Sequence, residues 1–207
     1  SKSSGKMAIA VGDEVSNTEQ EDVDAVEMSK AGDLVYFVAD INEAKEKGDL
    51  YEIKIKNNKV SDATLYDEDV YSGDLSMYED GQILYFKDFK DSEGSLYINK
   101  KEIDEDVYVR KVRSNYYNNN KEILYYKDYN QNKEKGSLMI YNGKKSKLIE
   151  EDVHDFDMLD DGSILYLYDY SNSKYKGELK HYKNGKNKKI DEDVIAIFSY
   201  IDYSIID

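Results

Sequence analysis

Apolar residues in this chain recur in short runs rather than at helical spacing. The runs are "LVYFVAD" from Leu34, "ILYFKD" from Ile83, "ILYYKD" from Ile123 and "ILYLYD" from Ile164. Their length and their Tyr, Phe, Val and Ile content predict strands. A run that is apolar on both faces must be covered on both faces. Each run closes on an acid, at Asp40, Asp88, Asp128 and Asp169, and a polar loop then leads to Gly48, Gly94, Gly136 and Gly177. A leucine follows two residues after each glycine, and a Lys-rich segment returns to an acidic ending. That ending reads "QEDV" at Gln20–Val23, "DEDV" at Asp67–Val70, "DEDV" at Asp104–Val107, "EEDV" at Glu150–Val153 and "DEDV" at Asp191–Val194.

The period defines repeats over approximately 23–70, 70–107, 107–153 and 153–194, whose unequal lengths exclude a strict solenoid but suit units with variable loops. Turn signals divide each repeat into four short strands. The ends of the chain are partial: Gly5–Val23 matches only the second half of a repeat, with Met7 and Ile9 where Leu138 and Ile140 fall, and Val194–Asp207 matches only a first half. The expectation is an all-β fold, a single domain over 1–207 forming a five-bladed β-propeller with four antiparallel strands per blade. Its last blade is composite, 194–207 plus 5–23, because pairing the two termini removes the terminal edges. Short, Lys-rich outer strands such as "INKKEI" discourage edge pairing.

The repeat "ILYxxD…GxLxxY…KKIxEDV" resembles the TolB-like propeller repeats of secreted or membrane-anchored bacterial proteins. The resemblance implies a propeller and an extracytoplasmic location, with an anchor in a segment outside this chain; it carries no catalytic motif, so no active-site residues follow from it. The polar, Ser/Lys-rich start "SKSSGK" reads in the same way, as the remainder of a linker.

Composition removes several classes of function. The net charge is −15, which disfavours nucleic acid and anionic membrane surfaces as partners. No apolar run reaches the length of a membrane span, so direct insertion of this domain is not expected. Cys, Pro and Trp are absent, so there are no disulfides or thiolate metal sites, and turns fall to Gly, Asn and Asp.

Features shared by all repeats point to blade geometry, and features that break the symmetry point to function. The last acids of the endings, Asp22, Asp69, Asp106, Asp152 and Asp193, are placed to bond backbone groups in a turn from an outer to the next inner strand. If gathered on one side they also make an acidic face attractive to cations or a basic partner. The loops "DYNQNKEKG" and "DYSNSKYKG" lack the glycine and late Glu of a Ca²⁺ loop and read as ordinary hairpins. His154 reads as a surface residue and His181 as core or half-buried packing, so no metal and no cofactor is expected. The only arginines, Arg110 and Arg113, stand in one expanded segment with Tyr116 and Tyr117. This segment is the candidate ligand site, since guanidinium forks suit carboxylates and tyrosines offer stacking faces; the competing reading has the arginines neutralising nearby acids. The function expected from these features is a non-enzymatic binding or interaction module, monomeric and displayed outside the cell, for a protein or glycan. The alternative is a glycoside-processing enzyme using carboxylates at the axial mouth of the propeller.

Overall fold

The computed structural model of the chain describes residues 5–78, 80–114, 122–159 and 161–198, the side chains at 113 and 114 excepted. All regular structure among them is β, and every pairing is antiparallel. The chain divides into two compact units, Ser1–Val109 and Arg110–Asp207.

The first unit contains β1 (Ala8–Val11), β2 (Glu14–Asn17), β3 (Val26–Met28), β4 (Leu34–Asn42), β5 (Lys47–Lys56), β6 (Lys59–Val60), β7 (Thr64–Met77), β8 (Ile83–Lys90), β9 (Glu93–Ile98) and most of β10 (Lys101–Ser114). The second contains the end of β10, then β11 (Glu122–Asn130), β12 (Lys135–Asn142), β13 (Ser146–Met158), β14 (Ile164–Ser171), β15 (Lys176–Lys183) and β16 (Lys186–Val194). Apart from β6, which pairs β5, and the separate β1–β2 hairpin, each unit is a meander of neighbouring strands.

The expected coverage of the apolar runs on both faces is present. Along β4, Tyr36 and Val38 join one buried cluster with Leu50, Val70 and Ile83. The alternate residues Val35, Phe37 and Ala39 join another, against which Met7 and Ile9 pack. Side chains alternate with period two, so one strand feeds both clusters. Val70, Val107 and Val153, three of the five valines that end the acidic motifs, are fully buried, whereas Val23 and Val194 are half-buried. Each such side chain contributes roughly 1.5–3 kcal/mol relative to exposure.

The acidic endings differ from expectation. They are not turns between two strands. In β7 and β13 one long strand runs through the motif, pairing backwards with its first half (Leu50↔Asp67, Leu138↔Glu150) and forwards with its second (Met77↔Ile83, Met158↔Ile164). Where the pairing changes over, the last Asp takes a left-handed conformation, with φ between 51° and 58° at Asp22, Asp69, Asp106, Asp152 and Asp193. Asp tolerates that region better than most side chains. The local carboxylate-to-backbone bond belongs instead to the first acid: Asp67, Asp104 and Asp191 accept the following residue's N–H at 2.9, 3.1 and 2.8 Å.

A second left-handed Asp closes each apolar run, at Asp40, Asp88, Asp128 and Asp169. It is coupled to the glycine of the next strand. A Cβ on Gly48, Gly94, Gly136 or Gly177 would lie 2.5, 2.8, 3.1 or 2.8 Å from the carbonyl oxygen of Ala39, Lys87, Lys127 or Tyr168, the residue just before that Asp. Hairpins use the residues a Pro-free chain has available: Asn57–Asn58, Asn99–Lys100 and Asn184–Gly185 all have two positive φ values, as a two-residue hairpin turn with the twist of its strands requires.

Ring closure was expected from pairing of the two ends. Among the described residues the sheet is open, ending at β3 and at β16, while β1 pairs β2. Residues 199–207, on which closure depends, lie outside the described residues.

Candidate functional site

The arginine segment is only partly described. Arg110 is exposed on β10. The side chain of Arg113, and Tyr116, Tyr117 and Asn118–Asn120, lie outside the described residues. Their neighbour Lys111, four positions after the buried Val107, makes well-defined contacts.

In the second unit, Lys111 Nζ donates to the Asp155 carboxylate on β13. The same ammonium lies 5.3 Å from the centre of the Phe156 ring and 5.7 Å from that of Tyr126 on β11, within cation–π range. Tyr126 and Phe156 meet edge to face at 4.8 Å and 77°. Phe156 donates its backbone N–H to Asp155 Oδ1 at 2.9 Å, which fixes the carboxylate. Tyr126 is fully buried, and its hydroxyl is without a hydrogen-bond partner among the described residues. Burial, reinforced by the Asp155 charge, pushes the phenol far above its ordinary pKa.

In the first unit, the residues four positions after Val23 and Val70 are Glu27 and Asp74. Both carboxyls have raised pKa values: loss of hydration is the main cause for each, more firmly at half-buried Glu27 than at Asp74, whose surface is exposed, and Asp74 adds like-charge repulsion at Glu27. Repeat register therefore places a charged residue at the same point of successive strands. Counting from the motif valine in sequence would have found Lys111; the search for rare residue types found its arginine neighbours instead.

The acidic endings carry structure through their first acid. Tyr85, in the third place of its apolar run, donates to Asp67 Oδ2 at 2.5 Å, and Lys87 Nζ lies 2.8 Å from Asp67 Oδ1. Burial pushes the Asp67 carboxyl up, but the bonds from Lys87 and Tyr85 outweigh it, so its pKa lies below the ordinary value. Glu150 repeats the arrangement, with Tyr166 Oη at 3.4 Å and Lys180 Nζ at 2.9 Å, while Lys180 also sits 3.5 Å over the Tyr168 ring. The last acids Asp22, Asp69, Asp106, Asp152 and Asp193 are all exposed, and Asp193 pairs with Lys176 at 2.8 Å.

The loop after β11 is a side-chain-capped hairpin: Asn130 Oδ1 accepts the N–H groups of Asn132 and Lys133 at 3.1 and 3.0 Å. His181 is half-buried on β15, as expected. His154, expected as a plain surface residue, is also half-buried; its ring stacks on Tyr170 at 3.8 Å and Nδ1 lies 2.9 Å from the Glu134 carbonyl oxygen. Among the described residues no group of three or more His, Asp or Glu is placed to hold a metal ion. Among them, too, no helix is long and apolar enough to cross a membrane.

No protein-family model and no curated protein matches the chain. Solved structures do. A puromycin hydrolase superposes with a TM-score of 0.51 at 9% identity, covering 84% of this chain and 30% of that one. An acylaminoacyl peptidase from Pyrococcus horikoshii gives a TM-score of 0.48 at 15% identity, over 83% of this chain and 32% of that one. The chain thus spans about a third of the length of each, and the first likeness shows a fold of the propeller type found in such enzymes. It also overturns the expectation of a non-enzymatic binding module, and of glycoside chemistry in its place: the structure that shares this fold is a hydrolase.

Proposed function

We propose that this chain is a propeller-type module of a hydrolytic enzyme of the peptidase class, forming the substrate-side scaffold. The observation that carries this reading is the likeness to the puromycin hydrolase across 84% of the chain. Because the matched part is 30% of that protein, the chemistry of bond cleavage is assigned to the enzyme as a whole. The charge of −15 supports cationic substrates, since a field of one sign raises the local concentration of the opposite charge. We further propose that the repeats are TolB-like blades in a five-membered ring, supported by the complementary half-repeats at Gly5–Val23 and Val194–Asp207.

The reading is tested on native protein captured from its source with an antibody raised against this chain, so that whatever the chain belongs to is retained. Puromycin and a panel of aminoacyl and acylaminoacyl p-nitroanilides are the substrates. Hydrolysis depleted by the same antibody is the expected result. Captured protein that cleaves none of the panel overturns it.

A further inference from the structure

The Lys111 ammonium occupies a place with the chemistry of an amine receptor. Asp155 supplies the counter-charge, held by the Phe156 N–H. Phe156 and Tyr126 supply two aromatic walls in edge-to-face contact. Both rings are buried, at 2% and 0% exposure, whereas the Lys111 and Asp155 side chains keep 23% and 30%, so the cage opens to solvent on the charged side. The Tyr126 hydroxyl, on one of these two rings, has no partner among the described residues. A buried hydroxyl left unbonded is costly, and it marks a hydrogen bond that the described residues do not complete.

We propose that Asp155, Phe156 and Tyr126 form a binding site for the primary ammonium group of a ligand, which enters in place of Lys111. An ammonium carries three donors. A free one, not tethered to β10, can give one hydrogen to Asp155 and another to the Tyr126 hydroxyl while facing both rings. Lys111 is the chain's own occupant. It competes with the ligand and lowers the apparent affinity by the fraction of time it fills the cage. This inference rests on the reading of the chain as a substrate-side module and names the substrate class: compounds with a free primary amine.

The test is calorimetric titration of the full chain with n-butylammonium chloride, with 1-butanol as the uncharged control. Lys111→Ala should bind n-butylammonium at least about tenfold more tightly than the unaltered chain, because the internal competitor is gone. Adding Asp155→Asn should abolish that gain, and adding Tyr126→Phe should weaken binding severalfold while circular dichroism shows the strands intact. In the unaltered chain, where folding is not in question, the Lys111 ε-methylene NMR signal should move to the position of a solvated lysine at saturating n-butylammonium. Two results overturn the proposal: a folded Lys111→Ala variant that binds no better than the unaltered chain, or a Lys111 signal unmoved by the amine. Either can occur while the antibody-captured enzyme remains active, so loss of the amine site and loss of the hydrolase reading are separable.

Discussion

At the residue scale, the two signs of pKa shift make opposite predictions about acid. Glu27 and Asp74 have folded pKa values above their ordinary ones, chiefly from loss of hydration. The folded state then holds protons more tightly than the unfolded state, so their contribution favours folding at low pH and is lost as pH rises from the ordinary carboxylate value through the folded one. Above its folded pKa each is ionised at a cost. Glu27→Gln or Asp74→Asn should therefore raise the melting temperature at pH 7 by roughly 1–4 °C, a solvent-screened effect of about 1 kcal/mol or less, and the gain should vanish near pH 3. A gain of equal size at both pH values would mean that charge is not its cause. Asp67 has the opposite sign, being held below its ordinary value by Lys87 and Tyr85. Its stabilisation is present at neutral pH and is lost as pH falls below the ordinary carboxylate range. Asp67→Ala leaves the Tyr85 hydroxyl without its carboxylate and should cost about 1–3 kcal/mol at pH 7 in denaturant titration.

The element that repeats is a hairpin built from one left-handed Asp and one glycine. The Asp turns the preceding carbonyl towards the next strand, and only a residue without Cβ leaves room for that oxygen. Gly94→Ala would place a Cβ 2.8 Å from the Lys87 carbonyl oxygen, which belongs to backbone and has little freedom to yield. A loss of about 1–3 kcal/mol is expected, seen as a lower urea midpoint with unchanged slope. Gly5, which has no heavy atom within 4 Å of an added Cβ, is the internal control, and Gly5→Ala should be neutral. This hairpin was legible in sequence because its two residues recur together in every complete repeat. The join between repeats was not. "DEDV" announces a break in a strand, but whether a left-handed Asp reverses the chain or only shifts its register depends on which strands lie on either side. In β7, Leu50↔Asp67 on one side and Met77↔Ile83 on the other decide for a shift. Lys111 escaped notice for a related reason. Lysines are common in this chain, and it is the partners Asp155 and Phe156 on β13 and Tyr126 on β11 that mark this one out.

At the scale of the whole molecule, charge and connectivity act together. A net charge of −15 with a pI of about 4.6 produces self-repulsion that salt relieves, whereas the pairs Lys87–Asp67 and Lys180–Glu150, with side chains 17–26% exposed, are shielded from salt. If repulsion among exposed carboxylates outweighs the surface ion pairs, sodium chloride should raise the melting temperature. The count of charges favours this outcome: 44 acids face 29 Lys and Arg, an excess of 15 negative charges. The five left-handed acids Asp22, Asp69, Asp106, Asp152 and Asp193 are the places to test it. Each is exposed and each adopts a conformation that glycine takes without strain. Replacing Asp22, Asp69, Asp106 and Asp152 together by Gly removes four negative charges and relieves backbone strain. Asp193 is spared because it pairs with Lys176. The fourfold variant should melt higher than the unaltered chain in low salt, and its salt dependence should be flatter. The two causes separate in concentrated salt: above the screening range only the conformational gain survives, offset in part by the greater freedom of glycine in the unfolded chain. A variant that melts lower under every condition would show that these carboxylates make attractive contacts stronger than the repulsion they create.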